Sequence, residues 1–263
     1  MLHTFAICAY KESPYLEECI QSLKAQTMKS QIILATSTPN EYIDSLGKKY
    51  NIPVFVNTGE SGITQDWNFA YRQCKTKYIT IAHQDDVYSK EYVEHLTALM
   101  EKSKLPLIAF SDYAELRNGD IIKKNKLLKI KRLMLIPMRV KAFQSIKFVR
   151  RRILSFGCPI CCPSVMFAKD NLPKEIFQHG FRSNEDWEAW ERISHFKGDF
   201  LYDSNILMFH RIHEDSETTK ILEDSARGDE DIVMYEKFWP SPIAKIIAKL
   251  YATSEKSNDI AEK

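Results

Sequence analysis

The sequence predicts an α/β fold in which a mostly parallel, mixed sheet is flanked by helices. Short apolar runs of strand length alternate with segments whose apolar residues recur at helical spacing, and this alternation is typical of parallel βαβ units. The 263 residues, 44% hydrophobic and 27% charged, have an ordinary globular composition and can bury a large core. We therefore expect one α/β domain, or one such domain with an appendage.

The chain shows no secretion signal, no membrane span and no disulfide framework. Its first residues lack a basic segment followed by an apolar run, and no stretch approaches the roughly 18 apolar residues that a spanning helix needs. Six cysteines are too few and too irregularly spaced for a secreted disulfide scaffold. We therefore expect a cytoplasmic protein whose cysteines are mostly reduced and buried.

The first half of the chain alternates strand and helix patterns. Residues 4–10 form an apolar strand, and the turn that follows leads to a helix over residues 15–26, with Ser13 placed to cap it and Pro14 at its first position. The pattern then predicts a strand over 31–37, a helix over 41–50, a strand over 53–56, a loop over 57–62 and a helix over 63–74.

The next strand, residues 78–82, ends in a polar cluster. It runs directly into His83-Gln84-Asp85-Asp86. Because ligands of open α/β sheets bind beyond the carboxyl ends of the strands, Asp85 and Asp86 stand where a metal-bound, phosphate-bearing ligand is expected. The alternative is that the two acids cap the next helix, which begins near Ser89.

Later segments continue the alternation. The patterns predict a strand over 164–167, a helix over 183–193, a strand over 205–209, and an amphipathic segment over 238–251 followed by frayed polar residues.

The order and spacing of several motifs resemble the family 2 glycosyltransferases, which have the GT-A fold. The motifs are Lys11-Glu12-Ser13-Pro14-Tyr15-Leu16, Asn57-x-Gly59, Asp66-Trp67-Asn68-Phe69-Ala70, Ala82-His83-Gln84-Asp85-Asp86, Asn184-Glu185-Asp186-Trp187-Glu188-x-Trp190 and Arg211-Ile212-His213-x-x-Ser216. They cover roughly residues 3 to 216. The resemblance implies an inverting transferase with a nucleotide-sugar donor and a saccharide or lipid-linked acceptor, in cell-surface polysaccharide or glycolipid synthesis.

The resemblance also implies which residues bind the nucleotide sugar. They are Ala9, Tyr10, Glu12, Thr36, Asn57, Gly59, Asp66, His83, Gln84, Asp85, Asp86 and Arg211. For Asn57, Gly59 and Asp66 the alternative is turn geometry and helix capping, and for His83 it is packing at the strand end. This chain has Thr36-Ser37-Thr38 where the family often has an acid that holds the nucleobase. It has His83 where the family's Asp-x-Asp signature begins.

A departing nucleoside diphosphate carries negative charge that a hard divalent cation can stabilise. Asp85 is the predicted direct ligand of Mn²⁺ or Mg²⁺, and Asp86 is either a second ligand through water or a contact to the sugar. The resemblance implies that His213 binds the metal or a phosphate. A rival arrangement is a zinc site formed by Cys158, Cys161, His210 and His213. Its spacing is unlike a compact zinc finger, because the cysteine pair leads directly into a strand.

Transfer to a hydroxyl also needs a base. Asp186 matches the position of the family's base, and Glu185 is the second candidate. The alternative is that Ser183 and Asn184 cap this helix, while the two acids favour its N-terminal dipole.

The segment from Arg117 to Arg152 is the most basic part of the chain, with thirteen lysines and arginines against one acid, Asp120. Interleaved apolar residues make it amphipathic, so it fits an anionic lipid surface or a phosphate-bearing acceptor. The alternative is a solvated helical face whose apolar side packs on the domain. Nucleic acid is not expected as a partner, because aromatic stacking residues are sparse there.

The expected domain therefore has four parts: a donor-binding half (1–116), the basic insertion (117–152), an acceptor-side half with the base (153–220) and a C-terminal helical tail (221–263). Two other classes of protein share these features. One is a non-catalytic binding protein for sugar nucleotides or polysaccharide assembly, and the other is a membrane-surface interaction protein built around the insertion. The sequence leaves the oligomeric state undefined.

Overall fold

The structure, a computed structural model, describes residues 1–213 and 226–259. Its first half alternates strands and helices as the sequence predicts. The elements are β1 (His3–Cys8), α1 (Leu16–Lys24), β2 (Gln31–Thr36), α2 (Glu41–Tyr50), β3 (Val54–Val56), α3 (Ile63–Gln73), β4 (Tyr78–His83), β5 (Val87–Tyr88) and α4 (Tyr92–Lys102).

The second half contains the longest strands. Its elements are β6 (Pro106–Arg117), β7 (Asp120–Ile122), α5 (Lys126–Met134), α6 (Lys147–Leu154), β8 (Val165–Ala168), α7 (Glu185–Ser194), β9 (Asp199–Ile212), α8 (Ala226–Glu236) and α9 (Ser241–Asp259). Two short 3₁₀ turns, Ile136–Arg139 and Lys141–Phe143, connect α5 to α6.

The nine strands of the described residues belong to one sheet in the order β3-β2-β1-β4-β8-β6-β9-β5, with β7 paired to β6. The first four strands of this order run parallel, β8 is antiparallel to both of its neighbours, and β6 pairs in parallel with β9. The carboxyl ends of β1, β2 and β4 therefore lie along one edge of the sheet. This mixed sheet with flanking helices confirms the predicted fold class.

Each face of the sheet carries its own apolar core, because successive side chains of a strand point to opposite faces. In β1, Phe5 and Ile7 join the core beneath α1, α2 and α4, whereas Ala6 joins the core that contains Trp187 and Trp190 of α7. These two cores fix the positions of the helices that flank the sheet, including those that end near the carboxyl ends of β1, β2 and β4.

The predicted start of α1 is wrong. Tyr15 is the N-cap residue and makes no side-chain capping bond, while the Ser13 hydroxyl accepts a hydrogen bond from the backbone N–H of Tyr15 at 3.3 Å. Pro14 therefore lies in the turn before the helix rather than at its first position. The Ser13 carbonyl accepts from the Tyr42 hydroxyl at 3.0 Å, so this turn is anchored to α2.

The basic insertion folds into α5, the two 3₁₀ turns and α6, and some of its cations serve the fold. Arg132 donates to a carboxylate oxygen of Asp112 at 2.6 Å, and Arg150 is fully buried. The Arg150 guanidinium donates to the backbone carbonyls of Ser194, Phe196 and Gly198, so it closes the loop before β9. None of the described helices has the length and apolar character of a transmembrane span.

Gly198→Ala should destabilise the fold because Gly198 turns the chain into β9 with a φ of +138°. An added Cβ would lie 2.6 Å from the Leu105 carbonyl oxygen and 2.7 Å from Cγ of Leu107. We expect the free energy of unfolding to fall by about 3 kcal/mol, measured by chemical denaturation.

Gly119→Ala is the matched control, because Gly119 has a φ of +90° and no atom within 4 Å of an added Cβ. Only backbone strain of about 1 kcal/mol should remain there. Equal losses in the two variants would contradict the clash at Gly198.

Candidate active site

Strand β4 delivers three potential ligands to one place at the sheet edge. One donor atom from each of His83, Asp85 and Asp86 lies within 4.8 Å of the other two. The helix-capping interpretation of the two acids is wrong, because β5 follows them and Glu91 is the N-cap residue of α4. The acid pair instead faces β9, the antiparallel neighbour of β5.

Asp86 forms a buried ion pair with His210 of β9. Its Oδ1 accepts from His210 Nδ1 and from the backbone N–H of Arg211, both at 2.9 Å. Burial works against ionisation of Asp86, but His210, His83 and the Arg211 N–H outweigh it and lower the pKa of Asp86. Burial likewise opposes the charge on His210, yet Asp86 raises the pKa of His210. Both shifts favour the charged pair.

The other carboxylate oxygen of Asp86, Oδ2, is buried and has no hydrogen-bond partner among the described residues. It lies 3.9 Å from Nδ1 of His83. A buried carboxylate oxygen without a partner is costly, so a cation or a hydrogen-bond donor that contacts this atom would be stabilised there.

His83 stacks on Trp67 with ring centroids 5.0 Å apart and an interplanar angle of 20°. Burial lowers the pKa of His83 even though Asp86, Asp85 and Asp186 act in the opposite direction. The imidazole is therefore neutral at pH 7, and its unprotonated nitrogen can accept a hydrogen bond or bind a metal ion. The two interpretations of His83 are compatible, because the ring is packed and also borders the acid pair.

Asp85 and the end of β9 form the outer part of the site. Nε2 of His213 lies 3.0 Å from Oδ2 of Asp85, and its ring contacts Tyr15 at 5.0 Å between centroids. Arg211 donates from Nε to the Asp85 carbonyl at 2.8 Å, pairs with Glu18 and lies over the Tyr15 ring at 4.4 Å. A phosphate contact by Arg211 would require the exchange of one of these partners.

Residues 214–216 of the motif that contains His213 lie outside the described residues.

The strand ends on the donor side are joined by side-chain hydrogen bonds. Tyr10 and Gln84 form a reciprocal pair, in which the Tyr10 N–H donates to Gln84 Oε1 at 2.9 Å and Gln84 Nε2 donates to the Tyr10 carbonyl at 3.1 Å. Ala9 is buried and its N–H donates to the Ala35 carbonyl at 2.8 Å, while Glu12 is exposed. This pair of bonds holds the ends of β1 and β4 side by side.

A second network joins β2, β3 and α3 around Asp66. Its Oδ2 accepts from the Ser37 hydroxyl at 2.6 Å, and its Oδ1 accepts from Asn57 Nδ2 at 2.7 Å. The Gly59 N–H donates to Asn57 Oδ1 at 3.1 Å, which is an Asx turn, and Gly62 rather than Asp66 is the N-cap residue of α3. Thr36 is buried and its hydroxyl accepts from the Thr38 N–H at 3.0 Å.

Helix α7 carries the two candidate bases at its first residues. Asp186 accepts from the Trp187 N–H at 2.6 Å through Oδ1, and the Cys158 thiol donates to its Oδ2 at 3.6 Å. Glu185 is only 5% exposed, and burial together with the charges of Asp186 and Glu230 raises the pKa of Glu185 to about 7. The partly exposed Asp186 and the buried Glu185 thus differ sharply in their access to an acceptor.

The predicted cap of α7 is wrong, and its real anchor was missed. Asn184 is the N-cap residue without a side-chain capping bond, and Glu230 of α8 accepts from the backbone N–H groups of Arg182, Ser183 and Asn184 at 2.7, 3.0 and 3.2 Å. Asn184 also donates to Asp231 at 2.8 Å. No local pattern could reveal this anchor, since it joins segments 46 to 48 residues apart.

The four residues of the rival zinc site do not form a metal-binding cluster in the described part of the chain. His210 and His213 bond to Asp86 and Asp85, whereas Cys158 bonds to the Ile160 carbonyl and to Asp186. The structure therefore overturns the zinc arrangement. All six cysteines are free thiols, of which Cys19, Cys74 and Cys162 are buried and Cys8, Cys158 and Cys161 are half-buried.

Comparison with known proteins gives concordant matches. The sequence profile of glycosyl transferase family 2 matches residues 4–177. An uncharacterized glycosyltransferase of Rickettsia prowazekii is 23% identical over 93% of this chain and 72% of its own length. An uncharacterized glycosyltransferase of Rickettsia conorii is also 23% identical, but the match covers only 38% of that longer protein.

Solved structures confirm the GT-A fold. Staphylococcus aureus TarS in complex with UDP-GlcNAc superposes with a TM-score of 0.64 at 15% identity, covering 94% of this chain and 70% of the TarS chain. The mannosyltransferase PcManGT of Pyrobaculum calidifontis, in complex with GDP-Man and Mn²⁺, has a TM-score of 0.60 at 9% identity and covers 97% of this chain and 75% of its own.

The raised pKa of Glu185 predicts a pH-dependent stability. Because its folded pKa of about 7 exceeds the ordinary 4.5, its contribution is complete below pH 4.5 and is lost as pH rises through 7. The unfolding free energy of the wild type, relative to Glu185→Gln, should fall by about 3 kcal/mol between about pH 4.5 and 8. Denaturant titrations of both proteins across this range measure the difference, and a flat difference would show that Glu185 ionises normally.

Proposed function

The chain belongs to glycosyl transferase family 2, and we propose that it is an inverting, metal-dependent transferase that moves a sugar from a nucleotide sugar to an acceptor hydroxyl. One observation carries the proposal: a donor atom from each of His83, Asp85 and Asp86 lies within 4.8 Å of the other two, and the charge of Asp186 reaches the same His83 imidazole. The acid pair of β4 and the candidate base of α7 therefore share one site. A charged leaving group and an acceptor proton need these two functions side by side.

The donor would lie along the carboxyl ends of β1, β2 and β4. Two structurally similar proteins support a nucleotide sugar as the donor, because TarS was solved with UDP-GlcNAc and the mannosyltransferase with GDP-Man. In this chain, Thr36 and the Asn57–Asp66 network border the region where the nucleobase is expected, and Gln84 borders the sugar side. Thr36, Ser37 and Thr38 thus stand where the family often has an acid that holds the base, and the nearby acid in this chain is Asp66, which accepts from the Ser37 hydroxyl.

The residues present fit a divalent cation. Carboxylate oxygens suit Mn²⁺ and Mg²⁺, Asp86 Oδ2 is buried without a partner among the described residues, and His83 and His213 add nitrogen donors near Asp85. Asp85 and Asp86, with His213, would hold the ion, which would supply positive charge for the departing diphosphate. The mannosyltransferase relative, which was solved with Mn²⁺, supports this assignment.

Asp186 acts as the base in this proposal. Its carboxylate takes the proton of the acceptor hydroxyl as the hydroxyl oxygen attacks the anomeric carbon from the face opposite the diphosphate. The bond between the anomeric carbon and the diphosphate oxygen breaks, so the configuration inverts. The Trp187 N–H orients one oxygen of Asp186 at 2.6 Å, and Glu230 fixes the backbone that precedes it.

Each of the four expected parts of the chain has its own role in this proposal. Residues 1–116 bind the donor, and residues 153–220 carry the base. Residues 117–152 and 221–263 are additions, and their described helices meet where α5 contacts α9. We propose a saccharide or lipid-linked acceptor in cell-surface polysaccharide or glycolipid synthesis. The place of reaction would be the cytoplasmic side, at the inner face of the cell membrane.

A screen of nucleotide sugars for Mn²⁺-dependent release of nucleoside diphosphate tests turnover directly. Release from at least one donor supports the enzyme. Metal-dependent binding without release from any donor, with or without acceptor sugars, would favour a non-catalytic binding protein of the same fold.

Asp85→Ala should abolish metal-dependent binding of nucleoside diphosphates, because it removes the carboxylate closest to His213 while leaving both cores intact. Titration calorimetry with UDP and GDP, each with and without Mn²⁺, measures the loss. Asp170→Ala is the matched control, since Asp170 is an exposed acid next to Lys169 at the opposite end of β4. Unchanged Mn²⁺-dependent affinity in Asp85→Ala would remove the metal assignment.

Asp186→Asn should preserve donor binding but lower transfer by about 10² to 10⁴. The amide can still accept the Trp187 N–H, so a thermal melt should match the wild type. Single-turnover transfer with saturating donor, metal and acceptor is the measurement. Near-wild-type transfer would show that another residue is the base, and Glu185→Gln would be the next variant to test.

A further inference from the structure

An exposed surface that is both basic and apolar covers the insertion and the C-terminal helix. Large apolar side chains face solvent there, with exposed fractions of 66% for Leu133, 69% for Phe148, 62% for Ile246 and 67% for Leu250. The elements that carry them are in contact, since α5 touches α9 and the first 3₁₀ turn, and that turn touches α6. We call these residues, with the cations between them, the basic apolar surface.

The exposed apolar residues are not the ones that pack the insertion onto the domain. Leu128, Leu135, Met138, Ile153 and Leu154 fill that role and are buried. The alternative interpretation of the insertion, in which its apolar side packs inward, therefore accounts for only part of its apolar residues. Large exposed apolar patches mark interaction sites.

The charge of this surface is one-sided. Lys129, Arg139, Lys141 and Arg152 are exposed within the insertion, whose only acid is Asp120. Residues 241–250 of α9 contain two lysines and no acid. A partner that complements this surface must offer negative charge and accept apolar side chains at once, and the interface of an anionic bilayer does both.

The surface lies next to the candidate active site. On the inner side of α5, Lys131 donates to the Tyr113 hydroxyl at 3.1 Å, and the Tyr113 ring meets the His210 ring with centroids 6.4 Å apart. Exposed Leu133 and Lys129 belong to the same helix. Helix α5 and the Tyr113 ring thus stand between the surface and the Asp86–His210 pair.

We propose that the basic apolar surface docks on an anionic lipid bilayer and so presents the site to an acceptor carried on a lipid. The docking stands by itself, whereas the lipid-linked class of acceptor rests on the proposed function. Lysines and arginines bind the phosphate layer, and Leu133, Phe148, Ile246 and Leu250 enter the headgroup region. No side chain needs to span the membrane.

Co-sedimentation of the full chain with vesicles tests the docking. Binding to vesicles that contain phosphatidylglycerol should exceed binding to pure phosphatidylcholine and should fall steeply as salt rises from about 0.05 M to about 0.5 M. Lys129→Gln with Lys141→Gln should weaken it about 25-fold, from about fivefold for each cation. Lys75→Gln with Lys104→Gln removes the same charge from exposed sites outside the insertion and should leave binding nearly unchanged.

Leu133→Ser with Phe148→Ser tests the apolar half of the surface, and both residues are exposed enough to be replaced without loss of the fold. This variant should lose vesicle binding and keep the wild-type melting temperature. Equal binding to anionic and neutral vesicles would overturn the docking. So would an equal loss of vesicle binding in the two double lysine variants. A lipid-independent dimer that the Leu133 and Phe148 changes dissociate, without vesicle binding, would show that a second copy covers the surface.

The vesicle-binding test and the nucleotide-binding test of the proposed function can fail independently. Asp85→Ala should bind anionic vesicles like the wild type while losing metal-dependent nucleotide binding. Failure of vesicle binding with intact nucleotide binding removes the docking alone, and the reverse result removes only the proposed transferase.

Discussion

The site depends on one buried carboxylate. Asp86 joins the end of β4 to β9 by accepting from His210 and from the Arg211 N–H, two contacts that bridge 124 and 125 residues of sequence. A buried charge of this kind persists only when it is paired and hydrogen-bonded, so the two strands must meet in this register. The same register brings His213 to Asp85 and lays Arg211 over Tyr15. Loss of the pair would therefore disturb every group along the outer part of the site.

The insertion shows that a basic composition can serve two purposes within one segment. Arg132 and Arg150 are internal, and their guanidinium groups satisfy a carboxylate and backbone carbonyls that would otherwise be unpaired. Lys129 and Lys141, by contrast, are exposed among apolar side chains. Charge counts along a sequence cannot separate these roles, because the difference lies in which face of each helix meets the sheet.

Sequence patterns predicted the features of the fold that depend on residues close together in the chain. The alternating elements up to β4 and the polar cluster after Ala82 could be found from the sequence, since a buried strand that ends in acids is a short-range signal. The partners of those acids could not be found, because His210 and Arg211 reach Asp86 only through the pairing of β5 with β9. Capping was predicted from residue type at Ser13 and Asn184. The Ser13 hydroxyl instead accepts from the nearby Tyr15 N–H, and the Asn184 side chain makes a tertiary hydrogen bond to Asp231.

The anchor of α7 has an evolutionary consequence. Glu230 binds three consecutive main-chain N–H groups in residues 182–184, and none of these three bonds involves a side chain of the loop, although the Ser183 hydroxyl also donates to Glu230. Substitutions in the loop can therefore change its side chains without moving the start of α7, where Asp186 lies. Such an arrangement lets the loop sequence diverge between relatives while the position of this carboxylate is preserved.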